Sequence, residues 1–165
     1  MRFYGLALLA GAAALAACGG SETPKADSTP AAAAPAAAAP AAAATNALPK
    51  IAATGQTVEV KMVGDDKGYR FEPADIKIKA GDAVKFIMVS GGPHNVAFDP
   101  TTIPAAGKAQ LDANMDQKMA ELSSPLMMNP NEAYTISFGG VAPGVYPFHC
   151  TPHLAMNMKG TITVQ

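Results

Sequence analysis

From Gly55 onward, apolar side chains occupy alternate positions in short runs: Val58, Val60 and Met62, then Ile76 and Ile78, then Val84, Phe86 and Met88, and later Tyr134, Ile136 and Phe138. Successive strand residues point to opposite faces, so each run predicts a strand with one buried face. Gly64, Pro73, Gly81-Asp82, Gly91-Gly92-Pro93 and the turn from Gly139 to Gly144 interrupt the runs at short intervals. That spacing predicts an antiparallel sandwich or barrel, and no βαβ rhythm is present. Between Asp99 and Pro130 alternation stops, and Leu111, Met115, Met119 and Leu122 follow at helical steps. This predicts one amphipathic helix whose methionines pack into the core.

Ahead of Gly55 the pattern is different. Arg2 precedes an apolar stretch from Leu6 to Ala17, which is shorter than the roughly 20 residues a membrane span needs and reads as an export signal. The small residues of Leu15-Ala-Ala-Cys18 resemble a bacterial lipobox, in which the cysteine is lipidated and becomes the mature N-terminus. From Gly19 to Thr54 the chain is dominated by Ala, punctuated by Pro24, Pro30, Pro35, Pro40 and Pro49, with no aromatic residue, and cannot build a core. It reads as a spacer, with a reach of roughly 100 Å at about 3 Å per residue. The expected division is therefore a signal peptide at 1–17, a lipidated N-terminus and linker at 18–54, and one folded domain at 55–165. The expected location is the periplasm, lipid-anchored to a bacterial membrane, the outer membrane and cell surface included. Formal net charge is −1, which excludes a polyelectrolyte partner such as nucleic acid.

Composition then sharpens the chemistry. Exported proteins usually pair their thiols, yet this chain has only Cys18 and Cys150. With Cys18 acylated, Cys150 has no partner, and metal ligation is what would protect it. Cys150-Thr-Pro-His153-Leu-Ala-Met156-Asn-Met158 brings a thiol, an imidazole and two thioethers into nine residues, between the strand-like Val145 to Cys150 and Gly160 to Val164. Thiolate, imidazole and a distant thioether select copper over oxygen-preferring cations if a second imidazole joins them. His94, in Gly-Gly-Pro-His-Asn-Val, is the candidate donor. Parity turns Phe148 and Cys150 inward and His149 outward, which removes His149 from the set.

Three stretches carry a family resemblance. Phe71-Glu-Pro-Ala-Asp-Ile through Gly81-Asp-Ala-Val, then Pro93-His94-Asn95-Val96 to Asp99, then Cys150 to Met158 resemble the plastocyanin-type blue-copper proteins, with pseudoazurin close by. The resemblance covers about residues 55–165. It implies an all-β cupredoxin Greek-key sandwich, with one short helix in the inserted segment. One type 1 copper would be bound by His94, Cys150, His153 and Met158, and Asn95 would tie the two ligand loops together. Met156 is the alternative axial ligand, at the spacing of an amicyanin-like loop; Met158 is preferred because it matches the inward parity of Ile162 and Val164. The implied function is one-electron Cu(II)/Cu(I) shuttling between redox proteins such as cytochromes or copper oxidases and reductases, without catalysis. The sequence departs from photosynthetic plastocyanins at His149, where they carry Tyr. It also lacks a dense acidic patch, since Asp112, Asp116 and Glu121 are scattered among Lys108 and Lys118. The rival function is periplasmic copper storage or delivery through Met115, Met119, Met127 and Met128.

Overall fold

The computed structural model describes residues 48–165; the predicted signal peptide, Cys18 and the linker up to residue 47 lie outside the described residues. The strands are β1 (Thr57–Asp65), β2 (Gly68–Glu72), β3 (Asp75–Ile78), β4 (Ala83–Met88), β5 (Ala97–Phe98), β6 (Ala133–Ser137), β7 (Gly144–His149) and β8 (Lys159–Val164). They form two four-stranded sheets, ordered β2-β1-β4-β6 and β3-β8-β7-β5. The architecture is the expected all-β sandwich, but not a purely antiparallel one. β1 runs parallel to β4, and β3 parallel to β8. After the β1–β2 hairpin the chain enters the second sheet as β3 and then returns as β4, so β4 comes back beside β1 in the same direction.

Alternation places the core between the sheets. Val60, Met62, Val84, Phe86 and Ile136 from one sheet and Ile76, Tyr146, Phe148, Ile162 and Val164 from the other are all buried. Phe148 is the hub, meeting Phe71 edge-on with ring centroids 4.7 Å apart and Phe86 at 5.4 Å. Such pairs contribute about 0.5–1.5 kcal/mol each beyond the area they bury. Gly160 lies opposite Phe148 in the β7–β8 register. A Cβ there would sit 2.4 Å from Phe148 Cζ and 2.6 Å from the Ala74 carbonyl, so the ring occupies space only glycine leaves free. Cys150 shares the parity of Phe148 and sits directly beyond this aromatic cluster.

The middle segment holds the expected short helix but corrects its extent, since Met115, Met119 and Leu122 lie beyond its end. Among the described residues the one α-helix, α1, spans Ala105–Asn114, and Met115 is already extended (φ −89°, ψ 126°). Gln117 and Leu122 have φ of 46° and 56°, in the left-handed region, which no continuing helix allows. The helix ends where Asn114 turns its side chain to other carbonyls and amides. Its Nδ2 donates to Ser137 O and Gly139 O at 2.9 Å each, and its Oδ1 accepts from Ile51 N at 2.9 Å. Asp112 Oδ1 then accepts from Leu122 N at 2.8 Å, holding the loop that follows against the helix. Leu111, Met115 and Leu122 are buried as expected, but Met119 is 57% exposed because it lies on this loop and not on a helical face. Met127 is buried and Met128 exposed. Residues 49–54, within the predicted linker, also run along the body: Gln110 Nε2 donates to Pro49 O at 3.0 Å and Ser137 Oγ to Ile51 O at 2.7 Å.

Candidate metal centre

Three loops meet at one end of the sandwich. The first joins β4 to β5 and carries His94; the second precedes β6 and carries Ser123 and Met127; the third joins β7 to β8 and carries Cys150, His153, Met156 and Met158. The first two are zipped by backbone hydrogen bonds, His94 N to Met127 O at 3.1 Å and Met127 N to His94 O at 2.8 Å. The third folds back on itself: Cys150 N donates to Met158 O at 3.1 Å, and both His153 N and Met158 N donate within the same turn, to Cys150 O and His153 O at 3.2 Å each. A single 3₁₀ turn, Leu154–Met156, followed by Asn157 at φ 62°, reverses the chain into β8.

These loops bring three of the predicted donors together. Cys150 Sγ lies 3.6 Å from His94 Nδ1 and 3.4 Å from His153 Nδ1, and the two Nδ1 atoms are 3.2 Å apart. All three residues are buried. A point equidistant from the three atoms lies about 2.0 Å from each, the length of a nitrogen–metal bond and slightly short for sulfur. The group contains one soft sulfur, two imidazoles and no carboxylate, so it suits a copper-like ion and not Ca²⁺ or Mg²⁺.

Electrostatics point the same way. Burial pushes the Cys150 thiol upward, while the backbone N–H groups of Asn95 and His153 pull it back in part. Burial lowers both His94 and His153, the latter also through the charge of His94. Neutral imidazoles keep their lone pairs for coordination, and a cation in the triangle would favour the thiolate that burial disfavours. His94 Nε2 is 2.8 Å from Ser90 O. With that carbonyl as acceptor the ring proton sits on Nε2, leaving the Nδ1 lone pair aimed at the triangle.

The two methionines separate clearly. Met158 is fully buried at 0% exposure, whereas Met156 is 53% exposed on the 3₁₀ turn. Asn95 does more than join two loops: its Oδ1 accepts from Thr151 N at 2.7 Å, and its Nδ2 donates to Thr151 Oγ1 and Ser123 Oγ at 3.2 Å each. His149 lies outside the triangle, beside Asp99 and Lys159, in an open cavity of about 590 Å³. The charges scattered along the middle segment are paired, Lys108 with Glu121 and Lys118 with Asp112.

Sequence reasoning missed Tyr69, Ser90 and Ser123. Tyr69 stacks on His153 with centroids 3.8 Å apart and planes at 12°, and meets His94 edge-on at 6.2 Å. Its signal was parity, because Tyr69 faces the same way as buried Phe71 two positions on. Ser90 and Ser123 act through hydrogen bonds across loops, which no local pattern encodes.

The family model for copper binding proteins of the plastocyanin/azurin family matches residues 58–165. The plastocyanin of Prochlorothrix hollandica is 38% identical over 121 residues, covering 73% of this chain and 82% of that protein. The chloroplastic plastocyanin of Physcomitrium patens is 39% identical over 114 residues, and the chain spans 61% of its length. Among solved structures, the oxidized form of plastocyanin from Dryopteris crassirhizoma matches with a TM-score of 0.52 and 36% identity, over 66% of this chain and 100% of that one.

Proposed function

The chain belongs to the plastocyanin/azurin family of copper-binding proteins, and on that premise we propose that it is a lipid-tethered electron carrier of the periplasm. His94, Cys150, His153 and Met158 would hold one type 1 copper. Bound copper supplies the Cu(II)/Cu(I) couple. The rest is the work of the chain. The buried triangle of His94 Nδ1, Cys150 Sγ and His153 Nδ1 carries this reading, with mutual distances of 3.2 to 3.6 Å. A donor set fixed by hydrogen-bonded loops needs little rearrangement between oxidation states, which is what a carrier requires. The burial of Met158 and exposure of Met156 support Met158 as the axial donor.

As a member of this family the protein is a carrier and not an enzyme, and the four proposed side chains would supply the whole donor set. Its partners are redox proteins such as cytochromes or copper oxidases and reductases, met in the periplasm. Residues 1–17 act as the export signal, Cys18 carries the lipid that attaches the chain to a bacterial membrane, residues 18–54 form the tether, its last six residues lying along the domain, and residues 55–165 form the copper domain. Labelling with a radioactive fatty acid that is lost in Cys18→Ala supports the anchor; a label that persists refutes it.

One equivalent of Cu(II) is expected to turn the protein intensely blue through thiolate-to-copper charge transfer. Cys150→Ser is expected to be colourless. A blue Cys150→Ser variant refutes the assignment. An anaerobic Cu(I) titration with a stoichiometry well above one, falling when Met115, Met119, Met127 and Met128 are replaced, would make the protein a copper store instead.

A further inference from the structure

The proposed ligand nearest the surface, His153, has one of its ring faces covered. Tyr69 lies parallel to it at 3.8 Å, a contact between two strands' worth of separate chain, since Tyr69 belongs to β2 and His153 to the loop before β8. Tyr69 is seated by a close approach of backbones. It pairs with Gly64 in the β1–β2 register. A Cβ on Gly64 would fall 2.7 Å from Tyr69 Cε1, and one on Gly91 would fall 2.5 Å from Gly64 Cα. Glycine at both positions lets the Ser90-Gly91 turn close onto β1 while the tyrosine ring fits alongside. Gly64 N also donates to Ser90 O at 2.9 Å, the carbonyl that accepts from His94 Nε2 at 2.8 Å. The same packing therefore orients both imidazoles, His94 through the Ser90 carbonyl and His153 through the Tyr69 ring.

We infer that Tyr69 is a positioning residue for His153: its stacked ring holds the imidazole in the orientation that keeps Nδ1 in the donor triangle, in the absence of metal and in either oxidation state. This rests on the copper-carrier function proposed above. Among the described residues, no backbone carbonyl holds the second nitrogen of His153 in the way Ser90 holds His94. Its orientation is left to packing, and an offset or parallel aromatic contact is the kind of packing that resists ring rotation. Removing a stacked pair changes the balance between ring orientations by about two- to twelvefold. The electron exchange of the copper form would follow, because a ring whose tilt is not fixed by packing adds reorganisation to each transfer. In self-exchange one electron leaves the reduced copy and enters the oxidised copy, and no other atom is transferred.

The test compares the full chain with Tyr69→Leu and Tyr69→Phe. In the metal-free protein, NMR of the His153 ring protons reads the stack directly. Tyr69→Leu is expected to move these resonances downfield as the ring current is lost, and Tyr69→Phe to restore them. With copper bound, self-exchange measured by NMR line broadening is expected to slow by about two- to twelvefold in Tyr69→Leu, with a shifted reduction potential, and to recover in Tyr69→Phe. Unchanged resonances and exchange in Tyr69→Leu overturn the inference, as does failure of Tyr69→Phe to restore them. Should Tyr69→Leu not fold, Tyr69→Met takes its place in both measurements. A chain that takes up no copper overturns the proposed function, while the metal-free resonances still decide for or against the stack.

Discussion

Replacing Asn95 by Ala removes a side chain that bridges the three loops of the metal end. Asn95 is 1% exposed, and three hydrogen bonds leave with its amide: from Thr151 N at 2.7 Å, to Thr151 Oγ1 at 3.2 Å and to Ser123 Oγ at 3.2 Å. Each contributes about 0.5–1.5 kcal/mol net, and the two hydroxyls can turn to water while the Thr151 N–H cannot fully do so. The expected loss is about 2–4 kcal/mol, a large part of the stability of a domain this size. Urea unfolding of the metal-free protein, followed by far-UV circular dichroism, reads it as a midpoint lowered by about 1–2 M. Metal-free protein is used so that copper affinity does not enter the measured stability. Asn95→Asp provides the control. Its carboxylate keeps the acceptor for Thr151 N, and both hydroxyls can rotate to donate to it, so the hydrogen-bond count is retained but a charge is buried beside Cys150. Asn95→Asp is expected to fall between wild type and Asn95→Ala below pH 4, where the carboxyl is neutral, and to approach Asn95→Ala at pH 7. A loss below about 0.5 kcal/mol for Asn95→Ala would refute the claim that this amide holds the loops together.

Met158→Leu is expected to raise the reduction potential while keeping the blue band, since a weak axial donor that favours Cu(II) is lost, and Met156→Leu to do much less; cyclic voltammetry ranks them, and the reverse order reassigns the axial ligand. Gly160→Ala is expected to cost about 1–3 kcal/mol in thermal or urea unfolding, because its Cβ would lie 2.4 Å from Phe148 Cζ and 2.6 Å from a backbone carbonyl that cannot yield. An unchanged midpoint would refute the claim that the ring fills that space. Alkaline stability depends on Tyr134, whose hydroxyl donates to Asp116 O at 2.6 Å and whose pKa is pushed up from 10.0 to about 12 by burial and then by the charge of Asp116. A raised folded pKa means that the contribution is intact below pH 10 and is lost as pH rises from 10 to about 12. Tyr134→Phe is expected to flatten the decline of the urea midpoint in that window, and a parallel decline in both proteins would refute it.

Much of this molecule is legible in the chain because a strand is a local object. Side-chain direction alternates with sequence number, so Val60 and Met62, Phe86 and Met88, Phe148 and Cys150, and Met158 with Ile162 and Val164 declare their shared faces without reference to any other strand. Cys150, His153 and Met158 lie on one loop, and their donor chemistry is written in nine residues. The limits are equally physical. The steps from Leu111 to Leu122 look helical, but α1 stops at Asn114 because that side chain bonds to Ile51 N, Ser137 O and Gly139 O, partners 63, 23 and 25 residues away. Met119 is exposed for the same reason. Parity could turn Tyr69 inward but could not say what it would meet; only the closing of Gly91 onto Gly64 sets its ring on His153. Likewise the order β2-β1-β4-β6 with a parallel central pair follows from where the chain changes sheets, and alternation is blind to strand direction. Periodicity is set by the geometry of consecutive residues, so it can be read along the chain. Neighbours brought together by folding are set by the packing of distant segments, and these become visible only when the sheets have closed.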